Sequence, residues 1–386
     1  MPAARYELAI NDKPIDAQVY GHIKQLEVED SDTTADSFVI RLSAMRQRSG
    51  LWSFPSKDKF QLFSKVRVSA SFPGGNTEHL IEGYITHIDF HIDKDEKKSY
   101  VDISGMDATL LMNLQEKLVA WEDKSDSQIA KEIFKKYGFD TDIEDTAPTT
   151  TPQSESSFTI IQRETDIEFL KRLADRNGFD CFLKKDYQKD KTIGYFRKRK
   201  LDLRPQKDLA VQFGPGNNNV ESIGFTVDAL RPLSVEIRQK DAFTEEVKEV
   251  TIEDSKLPKI GKQNLQELVA PNIGKMASGE KLFPKIVLSR HVTSEQHIME
   301  TEARSVFDDG SWFITAKGTV NAEVYGRVLN AKSLVLIKGA DEDFSGKYYV
   351  TKVVHKFKPE SYVQEFEAKK NAIGLEGSEN FEQVKL

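Results

Sequence analysis

Chemistry in this chain would have to be built from seven histidines, one cysteine, a Gly-x-Gly and a basic run. His291 and His297 flank Val-Thr-Ser-Glu-Gln, which is not the H-E-x-x-H spacing that brings two imidazoles to one helix face. Six apart near a helix start, they read as surface or capping residues. His87 and His91 stand four apart in a segment of period two and so share a strand face, but no third zinc ligand accompanies them. Cys181, in the apolar stretch Phe179-Asp180-Cys181-Phe182, reads as a buried, inert thiol. Gly214-Pro215-Gly216 lacks the third glycine and the Lys-Ser of a phosphate loop. Arg197-Lys198-Arg199-Lys200 could touch DNA or an acidic neighbour, yet with Asp202 and Asp208 beside it a solvated strand end is the better reading. No motif singles out a carboxylate pair for glycoside hydrolysis. The expectation is no enzyme, no metal and no cofactor.

Bulk composition agrees with an ordinary folded protein. The chain has 386 residues, enough for two or three domains, and 62 acids against 55 bases give a net charge of −7. That balance disfavours a chain-wide electrostatic grip on nucleic acid or anionic lipid. A lone cysteine forbids an intramolecular disulfide and fits assembly in a reducing compartment. No apolar run reaches the roughly 20 residues of a membrane helix, and Met1 to Asp12 carries no signal-peptide core. We therefore expect cytoplasmic synthesis without a signal peptide and no stable membrane insertion.

Periodicity divides the chain. From Tyr6 to about Met112 the period is two: Phe38, Ile40 and Leu42 alternate with Val39 and Arg41, and Val66, Val68 and Ala70 with Lys65, Arg67 and Ser69. Turns fall at Pro73-Gly74-Gly75-Asn76 and between Asp93 and Lys98. Helical spacing follows. Ser125 and Gln128 form a capping box before Ile129, Ala130, Ile133, Phe134 and Tyr137, with Gly138 as the stop. Thr165 and Glu168 repeat the design before Phe169, Leu170, Leu173 and Ala174, with Gly178 as the stop. Ala147 to Ser157 is a polar loop between the two, and short strands are expected at Asp180–Leu183 and Thr192–Arg197. After Gly214-Pro215-Gly216-Asn217 the period of two returns at Val235–Arg238 and Val247–Ile252. An irregular stretch from Asp254 to about Pro284 precedes a helix from Thr293 or Ser294 to Asp309, closed by Gly310, and strands run from Trp312 to Lys370. The expected domains are 1–112, 113–205 and 206–372, with a tail over 373–386.

A weak internal repeat relates the outer blocks. Tyr84-Ile85-Thr86-His87-Ile88 matches Tyr349-Val350-Thr351-Lys352-Val353, with Ser99-Tyr100-Val101 over Ser361-Tyr362-Val363 and Val66-Arg67-Val68 over Leu334-Val335-Leu336. Similar β-domains in one chain would let a homotrimer present six related units, three-fold by sequence and near six-fold by shape.

The run from Gln162 to Phe179, with Glu164, Thr165, Asp166, Phe169, Leu170, Arg172, Leu173 and Gly178, resembles the signature of the baseplate hub family of contractile tails. That family includes phage late control D proteins, the hub part of VgrG and hubs of contractile injection systems. Its usual form is Q-x-x-E-S-D-x-x-F-[LI]-x-R-L-[AL]-E-x-x-G, and Thr165 stands here in place of Ser while keeping the cap. Gly346 to His355 resembles the family's closing hairpin, with an aromatic strand from Tyr362 to Phe366 after it. The resemblance runs over essentially the full chain, though only these segments are sharp. Physically the signature is structural: Arg172 can pair with Glu164, Phe169 and Leu173 face a core, and Gly178 permits a turn.

The resemblance implies an α+β, mainly β fold: two related tube-like antiparallel β-barrel domains with a small α/β insertion between them. It implies a structural hub forming a homotrimeric ring that joins a six-fold inner tube to a three-fold spike. Its partners would be the inner tube protein, a separate spike protein and other baseplate proteins, with cargo or DNA in transit through the lumen. It would reside in the baseplate of a phage tail, tailocin or injection particle. Only about twenty residues follow Phe366, so no needle or effector extension is expected within this chain. The alternative is a tail-associated peptidoglycan hydrolase or carbohydrate-binding module on the same scaffold.

Overall fold

The computed structural model describes residues 5–72, 74, 76–147, 159–212, 218–240, 245–274, 279, 282–288, 296–377 and 379. The turn residues Pro73 and Gly75, Gly214 to Asn217, His291, Thr293, Ser294 and most of the polar loop lie outside them. The first block holds β1 (Arg5–Ile10), β2 (Ile23–Ser31), β3 (Ser37–Ser43), β4 (Lys65–Phe72), β5 (Asn76–His91) and β6 (Tyr100–Asp107). The middle holds α1 (Asp126–Lys136), β7 (Asp140–Ile143), α2 (Asp166–Asn177), β8 (Phe179–Asp186) and β9 (Lys191–Lys198). Then come β10 (Gln206–Ala210), β11 (Val220–Val227), β12 (Ser234–Lys240), β13 (Val247–Ile252), β14 (Lys285–Leu288), α3 (Gln296–Gly310), β15 (Ile314–Asn321), β16 (Ser333–Lys338), β17 (Gly346–Lys358) and β18 (Ser361–Lys370). The fold is mainly β.

Alternation places the strands as expected: in β3, Phe38, Ile40 and Leu42 are buried, and in β4, Val66, Val68 and Ala70. The first half is laid out β2-β3-β6-β5-β4-β1 and the second β11-β15-β18-β17-β16-β10, so both follow one path in strand order. The last pairing differs in sense, β1 being antiparallel to β4 and β10 parallel to β16.

The repeat reaches down to single residues. In β5 the register against β6 shifts between Ile85 and His87, so Thr86 bulges; in β17 it shifts against β18 between Val350 and Lys352, so Thr351 bulges. Thr86 Oγ1 donates to Ser104 O at 3.3 Å and Thr351 Oγ1 to Glu367 O at 3.2 Å. A second pair of bulges falls at Lys24 in β2 and Glu221 in β11. Around Thr86 and Thr351 the sequence match is therefore also a structural one.

The flanking matches are corrected by one residue. Lys65 pairs with Tyr84 and Leu334 with Tyr349, so Lys65 rather than Val66 is the counterpart of Leu334. Likewise Tyr100 pairs with His91 and Val363 with Lys356, which aligns Tyr100 with Val363 rather than with Tyr362. Residue identity misled there because a slip of one exchanges the two faces of a strand. Packing has also been redistributed between the halves. A Cβ on Gly105 would lie 2.1 Å from Tyr84 O and 2.5 Å from the Phe38 ring, whereas the equivalent pair in the second half is Ala368 opposite Ala316.

The halves share one 13-stranded sheet because β2 pairs antiparallel with β17, from Ser31 opposite Lys352 to Leu26 opposite Phe357. Among the described residues no pairing closes either half into a separate barrel. The strands at Val235–Arg238 and Val247–Ile252 join β14 in a separate three-stranded sheet, whose Val235, Ile237, Val250 and Ile252 pack on Met299, Ala303 and Phe307 of α3.

Candidate functional site

The resemblance-bearing helix α2 begins as its sequence dictates. Thr165 and Glu168 complete the capping box, and Thr165 Oγ1 also donates to Asn113 Oδ1 at 2.9 Å. Asp166, in the first turn, accepts from Gln162 Nε2 at 2.7 Å, from the Tyr137 hydroxyl at 2.7 Å and from Lys117 Nζ. Burial alone would raise its carboxyl, but these three donors outweigh burial and hold it below the usual carboxylate range. Phe169, Leu170 and Leu173 are fully buried against Ile129, Ile133, Phe134 and Phe196. Gly178 ends the helix at φ 66°. Arg172 meets Glu164 at 2.8 Å, and its guanidinium lies 5.1 Å from the Phe169 ring centre. The structure thus gathers all nine signature residues around one helix, each with a packing or capping partner.

Sequence reasoning missed what lies next to that helix: a joint where the three units meet. Lys332, before β16, donates to Asp30 at the end of β2 and, at 2.8 Å, to Asp36. Asp30 also accepts from Ala331 N at 2.8 Å, and Asp36 from Ser31 N at 3.1 Å. Asp107 sits nearby, bonded by Thr109 N at 3.0 Å. Three carboxylates, Asp107 buried and Asp30 and Asp36 half-buried, face one ammonium. Burial, then repulsion from Asp30, pushes the Asp36 carboxyl up to about 8, while Asp30 stays low and Lys332 is raised. A cavity of about 310 Å³ adjoins this group, walled also by Tyr84 of β5 and by Phe182 and Tyr195 of the middle unit. A second tie links the same units: Arg199 meets Asp180 at 3.1 Å and Asp32 at 3.4 Å, and Tyr349 donates to Asp180 at 3.2 Å. Lys171 of α2 adds a bond to Thr33 O at 2.8 Å. No one motif could have flagged the joint, since Asp30 and Lys332 lie far apart in the chain.

Asp36 gives a signed pH dependence. Its folded carboxyl titrates near 8, above an ordinary aspartate, so its contribution is full at low pH and is lost as pH rises from about 4 to 8. Asp36→Asn keeps the Oδ1 acceptor and removes the charge. Its gain over the wild type in urea unfolding should grow across that window to about 1–3 kcal/mol at pH 8.5. A difference that does not change with pH would contradict this account of the joint.

The remaining residues fall into structural places. His355 is buried, bonded to the Tyr362 hydroxyl at 2.9 Å, and burial pushes it down to about 4. His91 stacks on Tyr100 and His79 on Tyr187, while His87 bonds Thr86. Burial pushes the Cys181 thiol up to about 12. Three members of the basic run are met by acids of this chain, Arg197 by Asp142, Lys198 by Glu144, and Arg199 as above. Among the described residues no group of three His, Cys, Asp or Glu is placed to hold a metal ion, and no helix is long and apolar enough to cross a membrane.

The family model described as the Alg8 N-terminal domain matches residues 6–359. The chain belongs to the Alg8 N-terminal domain family. No curated protein matches this family member. Its fold is shared with a 43 kDa tail protein of a Shewanella oneidensis prophage, at 13% identity and a TM-score of 0.66 over 96% of this chain and 100% of that one. A tail protein from Neisseria meningitidis gives 12% identity and 0.65, over 96% and 97%. An Escherichia coli component of the type VI secretion system gives 12% and 0.52, over 94% and 76%. At these identities the likeness concerns the fold that this Alg8 N-terminal domain adopts.

Proposed function

We propose that this chain is a structural, non-enzymatic hub of a contractile tail or injection baseplate. It works as a homotrimer whose six related halves make a near six-fold ring between an inner tube and a separate three-fold spike. The observation that carries this reading is the duplication: two halves with one strand path and the same two bulges. A fold shared with prophage tail proteins and a type VI component supports it. The role is geometric. Quasi-equivalent halves allow three copies to offer six similar faces to a tube and three to a spike. Other baseplate proteins bind outside the ring, and cargo or DNA passes through its lumen.

The test is native mass measurement of the purified chain, alone and mixed with tube and spike proteins. A trimer that binds both is expected. A chain that stays monomeric in all mixtures overturns the reading. Clearing of a peptidoglycan suspension that one carboxylate substitution abolishes would overturn its non-enzymatic part.

A further inference from the structure

Charges around the cavity at the joint do not balance. Glu82 of β5 is met by Arg67 at 2.6 Å and by Lys185 at 3.1 Å, Asp30 by Lys332, and Arg197 by Asp142 at 3.3 Å. Lys184, also at the wall, is exposed and its field falls on Asp30. Asp36 has only its share of Lys332, and among the described residues Asp107 has no ion pair. Each of these two keeps a free oxygen. The bonds to Asp36, from Ser31 N and Lys332 Nζ, and those to Asp107, from Thr109 N and Oγ1, all end on Oδ1. Both Oδ2 atoms lie open rather than sealed, on residues that wall the cavity. Asp107 is only 8% exposed, so its open oxygen faces the cavity.

Aromatic rings make up much of the remaining wall. Phe182 and Tyr195 stack at 4.7 Å with 11° between their planes. Lys332 Nζ lies 5.3 Å from the Phe182 ring centre and the Arg197 guanidinium 4.9 Å from that of Tyr195, so these rings already hold cations of this chain. Tyr84 adds a hydroxyl that has no partner among the described residues.

We propose that the cavity takes an organic cation, an alkylammonium or guanidinium group held by Asp36 and Asp107 with its carbon chain against Phe182, Tyr195 and Tyr84. Carboxylates supply charge-assisted hydrogen bonds to such a group, and ring faces favour its charge while covering its methylenes. A metal ion fits less well, since among the described residues no group of three His, Cys, Asp or Glu is placed to hold one. With about 310 Å³, the cavity has room for a diamine or for one basic side chain. The cation belongs to a free amine or to a lysine or arginine of another protein. This inference is independent of the hub reading.

Binding should displace a proton. In the free protein burial, Asp30 and Asp107 push the Asp36 carboxyl up to about 8 against the pull of Lys332. A second cation beside Asp36 favours its ionised form, so a proton leaves on binding and affinity rises as pH goes from 6 to 8. His79, also at the wall, is held below its usual range by burial and by Arg67, so it contributes little in that interval.

Titration calorimetry on the full chain tests this with three probes: cadaverine, a blocked Gly-Lys-Gly tripeptide, and pentanediol as the neutral match of the diamine. At least one cationic probe should bind with a dissociation constant on the order of 0.1–1 mM, and pentanediol should not. Binding of cadaverine, alone or with the tripeptide, assigns the site to a free amine; binding of the tripeptide alone assigns it to a basic side chain of another protein. Asp107→Asn keeps the Oδ1 acceptor for Thr109 and should weaken binding about tenfold or more. Phe182→Leu should weaken it roughly fivefold. Asp36→Asn should abolish both the proton release, read from heats in two buffers, and the rise of affinity with pH. No binding of either cationic probe at about 10 mM overturns the proposal. So does equal binding of pentanediol, or a folded Asp107→Asn that binds like the wild type. Should Asp107→Asn fail to fold, the pH series decides, and a wild type that binds without releasing a proton overturns the site.

Discussion

Leu173→Asp should leave the middle unit unfolded and the chain unable to assemble. Leu173 lies in the closed core between α1, α2 and β9, with no exposure and no cation in that cluster to pair with a carboxylate. An unpaired charge there costs about 4–5 kcal/mol or more, a large part of a domain's stability. The damage should spread, because α2 also carries the Lys171 bond to Thr33 in the first half. Limited proteolysis should then cut within 113–200 while the wild type resists, and no multimer should form. Leu173→Met is the control: a swap of similar volume should cost less than about 1.5 kcal/mol and leave assembly intact. Arg172→Ala removes only a half-exposed ion pair and should cost about 1 kcal/mol or less. Normal particles from Leu173→Asp would contradict the packing of α2 described above.

Lys332→Met should open the joint between the halves. It leaves the buried Asp107 and the half-buried Asp30 and Asp36 without their shared cation, and breaking such a group costs about 3–5 kcal/mol. The carboxylates can respond by taking up protons, so the loss should be smaller at pH 5 than at pH 8. Adding Asp30→Asn to Lys332→Met should recover part of it, since one uncompensated charge is removed along with its partner. Urea unfolding at both pH values measures each step, and equal losses at the two would rule out the charge explanation.

Local features of this fold were legible in the sequence because they are local in cause. The two capping boxes, the stops at Gly138 and Gly178 and the alternation in β3 and β4 depend on residues within one turn or one strand. The Thr86 and Thr351 match was legible because a bulge constrains adjacent residues on both faces. One residue away in register, the flanking matches failed, because burial of Val101 and Gln364 obeys the sheet and not the residue type. The small sheet of β12 to β14 reads like any other set of strands, and its separation depends on α3 packing that periodicity does not encode. Nor could pattern alone foresee the ionic joint, whose Asp30 and Lys332 come from the two halves that the β2–β17 pairing joins.

That pairing also sets a timetable for synthesis. Asp30 and Ala331, bonded at the joint, are 301 residues apart. At about 5–20 residues per second, roughly 15–60 s pass between their emergence from the ribosome. Throughout that interval the nascent chain holds out the bare flank of β2 with nothing of its own to lay against it. Crowded polysomes would bring the same flank from neighbouring nascent chains within reach, so the yield of native protein should respond to translation speed and to holding chaperones.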